Sequence, residues 1–446
     1  MATNGVVVVG AGPTGLMLAC ELALGGAPVH VLETRTSVPN VTRAFAVHAR
    51  TLELLDARGL AADLIPHGVP VYELAPPGGA TLDLRDLPTR FGMVLIVPQS
   101  GTEHLLERRA AQLGVTVRRG AEVVDLTQHP GGVTVGLAGG ETVPADYVVG
   151  CDGAHSTVRR LAGIDFVGKQ YQTHILLADV RLGAPPGETL FASTGPQGVV
   201  LCIPFGDGWF RAIAWDRLRE QAPLDEPVTV AEIRGAFRRI AGHDFAMGEM
   251  RWSSRFLSER RQARHYRSGR VFLAGDAAHV HSPLGGQGMN TGLGDAVNLG
   301  WKLAAAVRGQ APGWLLDSYE TERHPVGEAV LQLTDAFNQL VLGSWATRHL
   351  RALAVATAIR IPPTRRFLTG RLSGIGIAYP RGRSDHRLVG RRMPDVDLRD
   401  GRFAVVEDRP GLPPAVLVRP DGYVAWAGER SALPAAAARW HAGLDA

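Results

Sequence analysis

Gly10, Gly12 and Gly15 stand in G-x-G-x-x-G spacing between a β-branched run, GVVVV, and an apolar stretch that begins at about Thr14. Bare backbone in that arrangement lets an anion approach closely, and the free N–H groups of a helix starting there carry partial positive charge toward it. A second β-branched run, VHVLE, ends in Glu33 about 20 residues on, where a carboxylate can accept from ribose hydroxyls. Far along the chain, residues 275–304 read GDAAHVHSPLGGQGMNTGLGDAVNLGWKLA, with Asp276 at a strand end and a glycine loop, Gly285 to Gly288, ahead of an apolar helical pattern. An acceptor suited to a polyol thus stands near a helix start suited to an anion or an electron-rich ring edge. Between these stretches, Cys151, Asp152 and Gly153 close a further apolar run, YVVG.

The elements that must position these residues follow from the patterns around them. GVVVV, a helix from about Thr14 to Leu24 closed by Gly25 and Gly26, and VHVLE make a βαβ unit, the context in which the glycine spacing binds a dinucleotide. An acid rather than a base at position 33 fits an unphosphorylated adenosine ribose, as in FAD or NAD. Helical spacing of Val47, Leu52, Leu55 and Leu60 predicts one helix across residues 44–60, with His48 on a packing face, and Ser100 with Glu103 gives a capping-box signature for a helix ending at Gly114. Short apolar runs between Pro and Gly turns predict strands from Val69 to Val97, in VTVRRG, AEVVDLTQH, VTVGLAG and ETVPADYVVG, and from Tyr171 to about Trp252. RVFLA then delivers a strand to Gly275. Nucleotide-type elements therefore bracket a strand-rich insertion, the natural place for a substrate pocket.

Composition narrows the function classes. The chain has 446 residues, an ordinary 45% of hydrophobic types and a formal charge of only +4, with Arg381, Arg383, Arg387, Arg391 and Arg392 as one modest basic cluster, so a nucleic-acid partner is not expected. No apolar run approaches the roughly 18 residues of a membrane span, and no secretory leader pattern opens the sequence. Cys20, Cys151 and Cys202 are far apart and show no ligand spacing, and His279 and His281 lack further ligands, so no metal is expected. A cytoplasmic location is the expectation.

With these three signatures, GAGPTG with Glu33, CDGAHSTVRR and the GDAAHVHSPLGGQGMNTG stretch, the chain resembles the FAD-dependent aromatic hydroxylases, the group A flavoprotein monooxygenases, and within them the bacterial branch that oxidises aromatic polyketides. The likeness runs from about Val6 to Tyr379. It implies an α/β fold: a Rossmann-like FAD-binding domain in three parts (1–70, 99–170 and 268–380, the last with a helical segment), an inserted strand-rich substrate domain of para-hydroxybenzoate hydroxylase type (71–98 and 171–267), and a shortened thioredoxin-like C-terminal domain (381–446).

The same resemblance implies site roles. Gly10, Gly12, Pro13 and Gly15 would approach the pyrophosphate and Glu33 the adenosine ribose. Arg43 and Gln99 would lie on the flavin side, Asp152 and Gly153 would serve FAD and the reducing nicotinamide with Arg159 following, and Asp276 would take the ribityl chain. Pro283, Gly286, Gly288, Met289 and Asn290 would line the isoalloxazine, with Arg43 and Pro283 closest to the chemistry. The implied reaction uses non-covalent FAD, NADPH or NADH as a transient co-substrate, NADPH foremost, and O₂, and hydroxylates a small aromatic substrate, a polycyclic polyketide, through a flavin C4a-hydroperoxide. Baeyer–Villiger insertion or epoxidation is the alternative within that chemistry, a flavin-binding regulator the alternative outside it, and the assembly is a monomer or homodimer.

Overall fold

A computed structural model describes residues 3–37, 44–74, 81–187, 190–283, 285–342 and 353–443. The strand Val6–Val9 is buried throughout and pairs in parallel with Val29–Glu33 on one side and Tyr147–Gly150 on the other. An unbroken run of valines suits a central strand of a parallel sheet, which has no solvent face. Val117–Arg119 extends the sheet beyond Val29–Glu33, and Val271–Leu273 extends it beyond Tyr147–Gly150, with Arg267–Ser268 at the outer edge. The three signatures read from sequence therefore sit at the carboxyl ends of three adjacent parallel strands, where open α/β sheets gather ligands.

The helix Pro13–Leu24 leaves the first strand and lies against the helix Gln287–Val307 at backbone distance. A Cβ on Gly292 would stand 2.3 Å from Thr14 Oγ1, and one on Gly300 would stand 2.3 Å from Glu21 Cβ. No side chain fits at either position, so glycine there is a requirement of the helix–helix contact.

A second sheet has six antiparallel strands in the order Phe191–Gly195, Gly198–Pro204, Trp209–Asp216, Phe166–Leu182, Met247–Ala263 and His279–Val280. Its side chains alternate as strand geometry requires. Leu176, Ala178, Val200 and Ala212 pack under one helix, Val230–Ala241, while Ile175, Leu177, Ile203 and Ile213 join the core shared with the parallel sheet. That helix is absent from the strand-rich sequence reading, although Thr229 caps it by accepting from Glu232 N and Gly242 closes it at φ 84°.

Three local expectations are corrected. Residues 44–60 are not one helix: Ala46–Val47 is a strand paired with Val94–Ile96, and helices occupy Ala49–Asp56 and Ala61–Leu64. Pairing with a neighbouring strand overrides the local helical spacing. Ser100 caps nothing, because the helix Gln99–Gln112 starts one residue earlier and Gln99 Nε2 donates to Glu103 Oε1 at 2.8 Å instead. The glycine loop is also shorter than expected: Gly286, at φ 62°, is the N-cap, and Gly288 already belongs to the helix.

The C-terminal unit has three antiparallel strands, Ala404–Glu407, Ala415–Val418 and Val424–Gly428, with the helix Leu433–Arg439 packed on Ala415, Leu417 and Ala425. Buried ions tie it to the rest. Arg419 donates to Glu322 (2.6 and 2.8 Å) and to Asp421, Lys302 Nζ donates to Glu322 at 2.8 Å, and Arg58 bridges Glu21 to the carbonyls of Leu398 and Pro420. Burial alone would raise the Glu322 pKa, but Arg419 and Lys302 outweigh it and hold the carboxyl well below its usual range. No helix among the described residues is long and apolar enough to cross a membrane.

Because Glu322 is depressed in the folded state, its stabilisation is complete above the ordinary glutamate pKa of 4.5 and drains away as pH falls below it. Glu322→Gln leaves two buried cations under-compensated and should cost about 3–5 kcal/mol at pH 7. Urea unfolding of the two proteins at pH 7 and again near pH 3.5 checks this: the gap between their stabilities should narrow in acid, and an equal gap at both pH values would contradict it.

Candidate functional site

At the first strand end, Gly10 takes φ 105°, and a Cβ there would lie 2.5 Å from the Cys151 carbonyl oxygen. A Cβ on Gly15 would lie 2.0 Å from the Gly10 carbonyl oxygen, so both glycines are needed to bring helix and strand ends together. Gly12 is different. It caps the helix Pro13–Leu24 without a side chain, and nothing lies within 4 Å of where its Cβ would be. That open space beside a helix N-terminus with Pro13 in its first turn is the cradle a pyrophosphate needs.

Glu33 is buried at the next strand end. Its Oε2 accepts from Ala11 N at 2.7 Å and its Oε1 from Arg35 N and Nε, both at 2.9 Å. Burial pushes its pKa up, but the Arg35 guanidinium and the two backbone donors more than offset this, so the carboxylate is held ionised. It is a fixed acceptor at the place where the βαβ motif holds a ribose diol.

At the third strand end, both oxygens of Asp152 are occupied locally: Oδ1 accepts from Ser156 Oγ at 2.5 Å and Oδ2 from Val158 N at 3.0 Å. Asp152 thus shapes the turn, and Gly153, at φ 81° with nothing near its missing Cβ, is the open position. Arg159 is nearly buried, stacks over Phe166 and donates to the carbonyls of Ala154 and Ala277, both at 2.9 Å. It staples this turn to the loop that carries Asp276.

Asp276 itself is exposed and makes no hydrogen bond to the described residues, and its Oδ1 lies 3.6 Å from the Cβ position of Gly288. A carboxylate with free lone pairs therefore stands beside the first turn of Gln287–Val307, whose N-cap, Gly286, offers no capping side chain. Pro283 closes the preceding turn by accepting from Gly286 N at 3.0 Å. Met289 is a core side chain. Asn290 is fully committed: Oδ1 accepts from His48 N at 2.8 Å, and Nδ2 donates to the carbonyls of Ala46 (2.9 Å) and Gly286 (2.8 Å). It ties the flavin-type loop to the Ala46–Val47 strand and so explains why that short strand forms.

Gln99 Oε1 accepts from Ala44 N at 3.0 Å, placing it on the same strap rather than in the open cleft. Arg43 lies outside the described residues. The structure places Gly10 and Gly15 against each other and Cys151, Gly275 against Thr14, Asp276 beside Gly288, and Pro283 on Gly286, while Asp152, Arg159, Gln99 and Asn290 are engaged in local hydrogen bonds and Met289 is in the core.

Sequence reasoning missed the residues behind the cleft. Asp295, fully buried, accepts from Gly275 N (3.0 Å), His279 Nε2 (2.6 Å) and Arg323 Nε (2.7 Å). Burial raises its pKa, but Arg323 and His279 overcome this and keep it low. The only signal was an aspartate inside an apolar helical run. His48, expected to pack, does more than pack: its Nε2 meets the Gly285 carbonyl at 3.0 Å, and burial lowers its pKa to about 4, so the ring is neutral.

The residues fit FAD. An open glycine turn would suit a pyrophosphate, an ionised acceptor a ribose, an exposed carboxylate a polyol, and an uncapped helix start an electron-rich ring edge. Comparison with known proteins agrees. Residues 3–334 match the family described as FAD binding domain, and residues 400–443 match the C-terminal region of aromatic-ring hydroxylases. The chain therefore belongs to the FAD-binding aromatic-ring hydroxylases and is an FAD-dependent aromatic monooxygenase. It is 42% identical to the rifampicin monooxygenase of Streptomyces venezuelae, over 95% of each chain. It superposes on the anhydrotetracycline hydroxylase structure from Streptomyces rimosus with a TM-score of 0.88, at 38% identity and over 99% of each chain. The dialkyldecalin synthase of Streptomyces rugosporus is 37% identical over 98% of each.

The Asp276 side chain loses no hydrogen bond on substitution, and its interaction with His281 among the described residues is electrostatic. Asp276→Asn should leave the thermal midpoint of the flavin-free protein unchanged and weaken FAD binding about tenfold, or about 1.4 kcal/mol. Fluorescence titration with FAD measures the affinity, and unchanged binding would remove Asp276 from the site.

Proposed function

We propose that the protein hydroxylates an electron-rich, polycyclic aromatic polyketide, drawing two electrons from NADPH or NADH and one oxygen atom from O₂. The balance is substrate C–H plus O₂, NAD(P)H and a proton, giving substrate C–OH, water and NAD(P)⁺. Bound FAD would supply the redox chemistry, accepting hydride and activating oxygen. This chain's residues do the rest. Gly12 and the start of Pro13–Leu24 would hold the pyrophosphate, Glu33 the ribose, and Asp276 a ribityl hydroxyl. The first N–H groups of Gln287–Val307 would stabilise negative charge on the ring edge. Asn290, through its grip on Ala46 and His48, holds that helix start in place.

The observation that supports the reading is that the open Gly12 turn, the exposed Asp276 carboxylate and the adjoining helix start at Gly286 all lie at the carboxyl end of the parallel sheet. The rifampicin and anhydrotetracycline relatives support a large polycyclic substrate. A second reading, ring closure without net oxidation, takes its support from the dialkyldecalin synthase.

One assay separates them. The FAD-loaded protein, given NADPH, ¹⁸O-labelled O₂ and an anhydrotetracycline-type phenol, should consume nicotinamide and yield a product carrying one labelled oxygen. Nicotinamide consumption that forms only peroxide would contradict hydroxylation of that substrate class. An isomerised product without label would favour ring closure.

A further inference from the structure

The helix Gln287–Val307 has a second face. Gly288, Gly292 and Gly300 point toward Asp276 and the helix Pro13–Leu24, whereas Gln287, Asn290, Gly294 and Val297 lie on the opposite side by the 100° step of an α-helix. On that side is a cavity of about 430 Å³, walled by the helices Ala49–Asp56 and Asp317–Leu342, the segment from Arg371 to Pro380, and Asp421 and Tyr423 of the C-terminal unit. This is within the size range of small-molecule sites.

Its wall is apolar with a few polar groups of defined character. Leu54, Val297, Val326, Val330 and Ile377 supply apolar surface, and Tyr379 stacks on Tyr423 with ring centroids 4.1 Å apart. Two wall residues are more than nine-tenths buried and each keeps one polar atom without a hydrogen bond among the described residues: His48 Nδ1 and Arg50 Nε. The rest of each group is anchored. His48 Nε2 donates to the Gly285 carbonyl, so Nδ1 carries a lone pair and needs a donor. Arg50 Nη1 donates to Glu53 and Nη2 to the Asp421 carbonyl, which leaves Nε as a donor in need of an acceptor. Arg371, exposed on the wall, lies over Phe367 and forms no ion pair among the described residues. Both unpaired atoms are sealed within the wall, so the cation that the cavity presents to an occupant beside its aromatic and apolar surface is Arg371.

We propose that this cavity is a second small-molecule site, which takes a flat aromatic carboxylic acid with its ring along the Tyr379–Tyr423 wall and its carboxylate toward the exposed Arg371. Because His48 and Asn290 both hold the Gly285–Gly286 turn, an occupant would touch the two side chains that fix the start of the flavin-side helix. Filling the cavity requires no turnover, so binding is testable apart from the hydroxylation reaction.

The test uses the FAD-loaded protein and two fluorescent probes, 1-hydroxy-2-naphthoate and 1-naphthol, in equilibrium dialysis. The naphthoate should bind the wild-type protein, and Ala329→Trp, which fills the cavity from the helix Asp317–Leu342, should weaken it about tenfold or more. Arg371→Gln, at an exposed position that leaves the fold intact, should weaken the naphthoate about threefold and leave 1-naphthol unchanged, as expected for loss of a solvent-screened charge contact. Naphthoate binding untouched by both substitutions, or absent at roughly 1 mM, overturns the site. Equal weakening of both probes by Arg371→Gln overturns the acidic class.

Discussion

Everything at the cleft depends on two helices meeting at backbone distance. Thr14 Oγ1 and Glu21 Cβ occupy the volumes that side chains on Gly292 and Gly300 would fill, and Gly25 accommodates Ala304 in the same way. The contact joins segments almost 300 residues apart in sequence, and through it the first strand end and the Asp276 loop become walls of one space. A methyl group in that interface would push the Gly12 cradle and the Gln287–Val307 helix start apart. On the proposed reading, a flavin held by both would then be out of reach of one or the other.

Buried charge locks this arrangement from behind. Asp295 grips Gly275 N, His279 and Arg323, which fixes the loop bearing Asp276 relative to two helices. Farther back, Glu322 gathers Lys302 and Arg419 and binds the C-terminal unit to the same helices. Such clusters are costly to bury and more costly to leave half-made, which makes them specific: only one mutual placement of these elements satisfies every partner. The C-terminal unit is thereby part of the framework, and its Tyr423 walls the chamber behind the flavin-side loop.

Much of this was legible in the sequence because it is local. The βαβ unit announces itself through valine runs, glycine spacing and Glu33, all within residues 5–33, and the resemblance of three separated signatures placed the strand ends together before any coordinates. What escaped was set by distant partners. Residues 44–60 carry helical spacing, yet Ala46–Val47 is a strand because Val94–Ile96 and Asn290, far along the chain, claim its backbone. The helix Val230–Ala241 could have been read from Thr229, Glu232 and Gly242, but was hidden by the strand-rich surroundings. Site roles divided along the same line. The glycines and Asp276 were singled out by motif, and the structure leaves open space at Gly12 and Gly153, whereas the local hydrogen bonds of Asp152, Arg159 and Asn290 could not be read from sequence.

The most direct test of the helix contact is FAD affinity in a pair of variants, Gly292→Ala and the double variant Thr14→Ala/Gly292→Ala. The first places a methyl against Thr14 Oγ1, and the second removes that oxygen again. FAD binding should weaken about tenfold or more in the single variant, a typical overpacking cost, and recover most of the loss in the double variant. Wild-type affinity in Gly292→Ala would contradict the claim that backbone contact between these helices builds the flavin site.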